Sequence, residues 1–257
     1  MSEGLPASSY LVCATHRCGS NLLCQVLWHT GKVGYPQEAF SPTRSPHIAA
    51  EHGVSFNPKT EFWGYVSELM RLRQTPNGVF GAKLMWSQVP WFVTRLKADP
   101  AWSGPATGTL REILDAVFPD LRFIWMRRRD KIRQAISLVK AKQTRIYNSM
   151  QAASGAPPGM ATYDFAAIKR EVRRLHKDDR SWGAFFQQAG VSPFVVVYED
   201  FVATYHATIR DLLRFLGQNV ADGFQAPPTN YQRLADAVND EWHARFLADG
   251  GAPEPEA

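Results

Sequence analysis

The chain has 257 residues, and its 29 Lys and Arg against 24 Asp and Glu give a formal net charge of +5. A hydrophobic content of 45% and a charged content of 21% are those of globular proteins, which excludes disorder of the chain as a whole. The longest apolar runs have five residues, whereas a membrane helix needs about 20, so we expect no membrane span. The basic excess suits an anionic ligand but is too small for a nucleic-acid partner.

Strand-like and helix-like patterns alternate along the chain. Short runs rich in β-branched and aromatic residues predict strands at 10–15, 79–86, 121–126 and 194–198. Helical spacing of apolar residues predicts helices at 21–30, 110–118, 131–145, 165–189, 203–216 and 234–247. Strands separated by helices indicate an α/β protein whose parallel sheet is covered on both faces.

The domain organisation follows from the absence of an internal repeat or linker. Residues 1–249 are predicted to form a single domain and residues 250–257 a disordered tail, while the Gly- and Pro-rich stretch 154–162 is predicted to be a surface loop. The first ten residues lack the basic and apolar regions of a signal peptide, which favours the cytoplasm. The basic stretch 169–180 is interleaved with acidic residues and is expected to be a solvated helix face.

The first predicted strand runs into the loop HRCGS and then directly into a helix. This geometry aims the free N–H groups of the first helical turn at one point, where the helix dipole also favours negative charge. Gly19 lets the backbone approach a phosphate closely, Ser20 and Asn21 can donate hydrogen bonds, and Arg17 supplies a cation. An ordinary strand–helix turn, with Gly for its backbone angle and Ser as a cap, has the same pattern.

This loop does not have the GxxxxGK[ST] pattern of nucleoside triphosphatases, because the Lys and a clear Mg²⁺ ligand are both missing. The seven histidines are also scattered without the spacing of metal ligands. We therefore expect a phosphate-bearing ligand and no metal.

A second candidate anion site follows the third predicted strand, in the stretch FIWMRRRDKIRQAISL. Three consecutive arginines leave the strand, Asp130 can cap the next helix, and Ser137 lies on the second turn of that helix. Such a charge run is also typical of a solvated helix start. Here, however, it lies at the carboxyl end of a strand, where open α/β sheets bind ligands. Two anion sites at one sheet edge fit a nucleotide that is phosphorylated at two positions.

Taken together, these motifs resemble the sulfotransferases that use 3′-phosphoadenosine 5′-phosphosulfate (PAPS), in particular the bacterial branch of the mycobacterial trehalose 2-sulfotransferases. The resemblance extends over nearly the whole chain in the same order. Its segments are HRCGSN at 16–21, GYPQEAF at 34–40, TPNGVFGAKLMW at 75–86, the arginine–helix element at 126–137, RLAD at 233–236 and DEW at 240–242. The resemblance implies a P-loop-like three-layer sulfotransferase fold with a central parallel sheet flanked by helices, and a homodimer.

The chain departs from the family pattern at three places. His16 replaces a Gln, Asn21 replaces a Thr, and residues 43–60 do not follow the trehalose enzymes. His16 and residues 43–60 fall in regions that face the acceptor. The resemblance therefore implies the fold and the PAPS donor for this chain, but it does not imply trehalose as the substrate.

The resemblance also implies roles for donor-binding residues. The loop residues would hold the 5′-phosphosulfate, mostly through backbone N–H groups: Arg17, Cys18, Gly19, Ser20, Asn21 and Leu22. Arg128 and Ser137 would bind the 3′-phosphate, and either Arg127 or Arg129 could take the place of Arg128. Arg233, in a late loop, is a further candidate for a nucleotide contact.

Glu38 is the residue that the resemblance implies as the general base. Lys83 interrupts an apolar strand, so its charge must reach the end of the sheet or find a partner. It either stabilises charge on the transferring sulfuryl group or forms a structural ion pair. The residues implied as acceptor contacts are His16, Tyr35, Pro36, Gln37 and Phe40, although His16 could instead have a structural role.

The sequence thus predicts a metal-free, PAPS-dependent sulfotransferase that acts on a hydroxyl or an amine of a small-molecule acceptor, such as a sugar or a natural product. A kinase-like phosphotransferase is the alternative enzyme, and it is disfavoured by the missing Lys-Ser/Thr signature. A nucleotide-binding module without catalysis is the other alternative, against which the presence of both Glu38 and Lys83 argues.

Overall fold

The computed structural model describes residues 4–147, 161–229 and 237–252. In these residues, four strands form one sheet in the order β2-β1-β3-β4, and every neighbouring pair is parallel. The strands are β1 (Ser8–Ala14), β2 (Val79–Met85), β3 (Leu121–Arg127) and β4 (Phe194–Val197). All four strands were predicted, and the parallel sheet with helices on its faces confirms the predicted α/β class.

Helices connect and cover the strands. Those in the first half of the chain are α1 (Ser20–His29), α2 (Ser45–His52), α3 (Phe62–Arg73), α4 (Val89–Ala98) and α5 (Leu110–Val117). Those in the second half are α6 (Lys131–Thr144), α7 (Phe165–Gln188), α8 (Tyr198–Ala203), α9 (Tyr205–Phe215) and α10 (Ala237–Ala248). No helix in the described ranges is both long and apolar enough to cross a membrane.

Three of these helices, α2, α3 and α4, were not predicted. The helix predicted at 203–216 corresponds to α9, whereas the short helix α8, which ends just before Thr204, was not predicted either. The surface loop predicted at 154–162 lies outside the described residues except for its last two positions, and the predicted tail does so from residue 253 onward.

The sheet has an apolar core on each face because side chains alternate along a strand. On β1, Leu11 and Cys13 pack among residues of α3, α4, α5 and α7, whereas Tyr10 and Val12 pack on the opposite face against α1 and α9. Burying one large apolar side chain of this kind stabilises the fold by about 1.5–3 kcal/mol. Two well-packed faces therefore fix where the carboxyl ends of the strands lie.

The carboxyl ends of β1, β2 and β3 meet at one edge of the sheet. The chain leaves β1 toward β2 on one side and later returns to β3 on the other, and this change of direction opens a crevice where α/β proteins bind ligands. The segment around Gln37 forms a parallel bridge with Ala82, so it extends the sheet next to β2. Both candidate anion sites and Glu38 therefore lie at the same edge.

The stretch 169–180 of α7 is not the solvated face that was predicted. Glu171, Asp178 and Asp179 are buried, and they pair with basic residues. Asp179 contacts both Arg127 and Lys131, with N–O distances of 3.0 and 3.2 Å. Asp179 thus holds α7 against the start of α6, next to the arginine element, and Glu171 pairs with Lys142 near the end of α6.

Candidate active site

The loop between β1 and α1 (residues 15–19, the β1–α1 loop) is built for close backbone approach. Gly19 has φ 95°, in the left-handed region that favours glycine, and Arg17 has φ 63°. A Cβ atom on Gly19 would lie 2.3 Å from Cδ2 of Tyr198, so no other residue fits without a shift. No side chain in the described chain caps the start of α1, which leaves the N–H groups of its first turn for a ligand.

Side chains of α6 fix the β1–α1 loop from the other side. The Nε2 group of the buried Gln134 donates to Oγ1 of Thr15 at 2.9 Å and to the carbonyl of His16 at 2.6 Å. Nε of Arg17 donates to Oγ of Ser137 at 2.9 Å, and its Nη1 donates to the carbonyl of Tyr147. The two candidate anion sites are therefore joined through Arg17 and Ser137.

The three consecutive arginines point in different directions. Arg127 pairs with Asp179, and Arg129 pairs at the exposed surface with Asp200 at 2.6 Å. Only Arg128 of the three contacts the β1–α1 loop in the described structure, because its Nη1 donates to the carbonyl of Arg17 at 3.1 Å.

The guanidinium of Arg128 is available for a further contact. It packs over the ring of Tyr198 at 4.9 Å, and its side chain is only 14% exposed. Among the described residues its buried Nε has no hydrogen-bond partner, and the nearest Glu199 carboxylate oxygen is 4.0 Å away. A buried donor without a partner is costly, so this group fits an anionic ligand.

Lys83 connects the start of α1 with Glu38. Its side chain lies on the face of β2 toward α1 and is 5% exposed. Nζ donates to Oδ1 of Asn21 at 2.5 Å and lies 3.2 Å from Oε2 of Glu38. The buried ammonium of Lys83 is thus paired with the carboxylate of Glu38, which is held beside the N-terminus of α1.

The residues on either side of Glu38 are anchored to the rest of the fold. The N–H of Lys83 donates to the carbonyl of Gln37 at 2.9 Å. The hydroxyls of Tyr65 and Ser45 both donate to the carbonyl of Ala39, each at 2.8 Å. Because the backbone is fixed on both sides, the carboxylate of Glu38 has little freedom to move.

Phe40, which the resemblance implies as an acceptor contact, lies in the core. Its side chain is 1% exposed and packs among Tyr65, Phe92 and Phe118, with ring-centre distances of 5.4–6.3 Å. An aromatic side chain that follows Glu38 by two residues is driven into the core because of its large apolar area. Phe40 therefore supports the segment from the core side.

The other residues implied as acceptor contacts lie in two places. Nε2 of His16 is 3.4 Å from Oγ of Ser87, on the side of Glu38. Tyr35 stacks on Trp28, and Gln37 accepts from Nη1 of Arg73, in a groove of about 460 Å³ between the ends of α1, α2 and α3. Pro36 is buried.

The charges around Glu38 determine its protonation. Burial by itself would raise the pKa of Glu38, but Lys83 and the amide of Gln88 outweigh it and bring the pKa below its ordinary value. Burial would likewise lower the pKa of Lys83, yet the carboxylate raises it above its ordinary value. Both groups are therefore charged near neutral pH. Burial lowers the pKa of His16 to about 4, opposed by Glu38 and assisted by Arg174, so its imidazole is neutral.

Two glutamines at the site were not predicted. Gln134 holds the β1–α1 loop, and Gln88 bonds the carboxylate of Glu38. Gln88 follows the predicted strand 79–86, and Gln134 lies in the first turn of the helix predicted at 131–145; in both places the sequence context is that of a surface residue. Only their position near the carboxyl end of a strand could have indicated that they belong to the site.

Two further sequence expectations concern Arg233 and metals. Arg233 lies outside the described residues, so its role stays a prediction. Within the ranges that the structure describes, no three His, Cys, Asp or Glu side chains gather as a metal site would require. The three cysteines are buried and free.

Comparisons with known proteins place the chain in a family. The profile of the Stf0 sulphotransferase family matches residues 9–249. A trehalose 2-sulfotransferase of Mycolicibacterium smegmatis is 33% identical over 264 aligned residues, which cover 94% of this chain and 95% of the relative. A trehalose 2-sulfotransferase of Mycobacterium tuberculosis is 30% identical, with 93% of this chain and 94% of the relative covered.

The solved structure of a sulfotransferase from Alicyclobacillus acidocaldarius is 16% identical to the chain. The superposition covers 95% of this chain and 92% of that protein, with a TM-score of 0.45.

Proposed function

Because the chain belongs to the Stf0 sulphotransferase family and is therefore a sulfotransferase, we propose that it transfers a sulfuryl group from PAPS to a hydroxyl of a small-molecule acceptor. The observation that carries this proposal is the position of Lys83. Its Nζ joins Asn21, at the start of α1, to the carboxylate of Glu38, with distances of 2.5 and 3.2 Å. A base and a cation thus lie where an anion bound by α1 would react.

PAPS has two anionic groups, and these fit the two candidate anion sites at the carboxyl edge of the sheet. We assign the 5′-phosphosulfate to the backbone N–H groups of residues 17–22, since α1 begins there without a capping side chain. We assign the 3′-phosphate to Arg128 and Ser137, because Nε of Arg128 is buried without a hydrogen-bond partner among the described residues. Arg233 is kept as a further candidate contact to the nucleotide.

Sulfuryl transfer then proceeds as an in-line displacement at sulfur. The acceptor oxygen forms a bond to sulfur while the bond from sulfur to the bridging phosphate oxygen breaks, and 3′-phosphoadenosine 5′-phosphate (PAP) leaves. The carboxylate of Glu38 takes the proton of the acceptor hydroxyl, for which its ionised state is the required one. Lys83 offsets negative charge on the sulfuryl group or on the departing oxygen.

The acceptor is a sugar or a small natural product. Polar groups that face Glu38 suit a hydroxyl-bearing substrate, and His16 supplies a neutral imidazole beside the carboxylate, which can accept or donate one hydrogen bond. By the family resemblance, His16 replaces a Gln of the trehalose enzymes. We therefore propose that the acceptor differs from trehalose.

Calorimetry and turnover test this proposal directly. PAP should bind at least tenfold more tightly than AMP in the presence of a metal chelator, since the 3′-phosphate adds at least one charge-assisted contact. Sulfated product should form from PAPS when hydroxyl-bearing sugars are supplied. Equal affinity for AMP and PAP would remove the 3′-phosphate site, and a strict Mg²⁺ requirement with transfer from ATP would favour a phosphotransferase.

A further inference from the structure

Immediately after β2 the chain forms a single 3-10 turn, Trp86–Gln88, which brings a glutamine back to the end of the strand. The side chain of Gln88 is buried, with the residue 8% exposed. Its Nε2 group donates to Oε1 of Glu38 at 2.5 Å. This hydrogen bond joins the turn to the segment that carries the base.

The orientation of the Gln88 amide is fixed by a second contact. The backbone N–H of Met85 donates to Oε1 of Gln88 at 3.1 Å. If the amide were flipped, its NH₂ group would face the N–H of Met85 and its oxygen would face the carboxylate of Glu38. Both contacts would then be repulsive, so the NH₂ group must point at the carboxylate.

The two oxygens of Glu38 therefore have different partners. Oε1 receives the neutral N–H donor of Gln88, whereas Oε2 faces the ammonium of Lys83 at 3.2 Å. One donor on each oxygen fixes the plane of the carboxylate. A carboxylate has about four lone-pair sites, so sites remain for the proton of the acceptor.

We propose that Gln88 is a positioning residue for sulfuryl transfer: its amide sets the plane of the Glu38 carboxylate so that a free lone pair meets the acceptor hydroxyl. This inference rests on the proposed function, in which Glu38 is the base. Gln88 needs no contact with either substrate for this role, because it acts through Glu38.

Other titratable groups also face Glu38. Lys83 on β2 and His16 on the β1–α1 loop are the nearest, and the thiol of Cys24 on α1 interacts with the carboxylate as well. Arg174 and Lys142 affect the same region through His16. A change at Gln88 leaves all five groups in place, so its effect on the titration of Glu38 can be isolated.

The variant Gln88→Met keeps the side-chain length and removes the donor. Because the hydrogen bond favours the ionised carboxylate, its loss should raise the pKa of Glu38 and move the acid limb of the kcat–pH profile up by about one to two pH units. The plateau value of kcat should fall about tenfold because the base is less well oriented. The affinity for PAP should stay within about twofold of wild type.

A matched control is available in Gln25→Met. Gln25 is as buried as Gln88, and its Oε1 accepts from Thr229, but it has no contact with Glu38 in the described structure. This variant should leave the acid limb unchanged. If Gln88→Met fails to fold, Gln88→Glu keeps an acceptor oxygen for the N–H of Met85 and replaces the donor by a second carboxylate, which should move the limb up further.

Two results would overturn the inference and differ from a failure of the proposed function. The inference fails if Glu38→Gln abolishes turnover while Gln88→Met leaves both the acid limb and kcat at wild-type values. It also fails if the carbon-13 chemical shift of the Glu38 carboxyl titrates identically in wild type and Gln88→Met. If Glu38→Gln itself retains turnover, the proposed base is wrong.

Discussion

The site that we propose has two halves that differ. The base half is formed by Asn21, Glu38, Lys83 and Gln88, and the donor half is formed by the β1–α1 loop and its neighbours on β3 and α6. In the base half, charged and polar side chains bond one another. Both carboxylate oxygens of Glu38 have donors, and Lys83 contacts two oxygens. This half is therefore assembled from the chain's own residues.

The proposed donor half contains polar groups that lack a protein partner in the described structure. Its N–H groups at the start of α1 have no capping side chain in the described structure, and Nε of Arg128 is buried without a hydrogen-bond partner there. Because the polar groups have protein partners in one half and lack them in the other, we expect substitutions in the two halves to have different effects. Changes in the base half should alter kcat and titration, whereas changes in the donor half should alter the affinity for the nucleotide.

The largest effect is expected for Glu38→Gln, which keeps the shape of the side chain and removes the base. A positioned general base contributes about 10²- to 10⁴-fold, or about 3–5 kcal/mol of barrier. We expect kcat with a hydroxyl acceptor to fall by this factor, with the PAP affinity within a few fold of wild type. Near-normal turnover would contradict the assignment and make His16 the next base to test.

Lys83→Met should destabilise the protein by about 3 kcal/mol, since it leaves the carboxylate of Glu38 without its cation. In wild type the pKa of Glu38 lies below its ordinary 4.5, so the pair stabilises the fold above this pH, and the contribution is lost as the pH falls through the folded-state pKa. The stability difference between variant and wild type should thus shrink below pH 4.5. Urea unfolding at pH 7 and pH 4 checks this, and an equal difference at both would count against the pairing.

Arg128→Ala should weaken PAP binding by about ten- to a hundredfold, because a charge-assisted contact contributes about 1.5–3 kcal/mol. AMP binding should change little. Arg129→Ala is the matched control, since Arg129 is an exposed partner of Asp200. If calorimetry instead gives the loss for Arg129→Ala or for Arg127→Ala, the 3′-phosphate site is assigned to the wrong arginine.

Gly19→Ala should have the smallest effect of the series, about 1–3 kcal/mol on the free energy of unfolding and a matching loss of PAP affinity. The added Cβ would meet the ring of Tyr198 at 2.3 Å, and φ 95° is unfavourable for alanine. Gly31→Ala is the control, with φ 67° but nothing within 4 Å of its Cβ. Equal unfolding free energies for the two variants would mean that Tyr198 does not constrain the loop.

The sequence predicted the sheet well because apolar β-branched runs between turn residues are a local signal. It also contained the signal for α3, whose buried residues Phe62, Tyr65, Val66, Leu69 and Met70 have helical spacing, although the prediction missed it. For α2 and α4, a proline in the first turn disguised the helix start, even though proline is favourable there.

The site was predictable only in part. The strand–loop–helix pattern placed Arg17 and Gly19 at the carboxyl end of β1, whereas Glu38 was proposed only because of the family resemblance. It could not predict which of the three arginines faces the β1–α1 loop, because consecutive side chains point in different directions. A shift of one residue would change which of them contacts Asp179, Asp200 or the loop. Nor could the pattern find Gln88 or Gln134, because a buried glutamine and an exposed one have the same local sequence context and differ only in tertiary contacts.

A crystal structure of the protein with PAP would test the central claim most directly. We expect the 5′-phosphate within hydrogen-bond distance of the N–H groups of residues 17–22, the 3′-phosphate on Arg128 and Ser137, and the contacts of Glu38 with Gln88 and Lys83 unchanged. A nucleotide that binds away from the start of α1, or a Glu38 carboxylate that points away from the 5′-phosphate, would contradict the account.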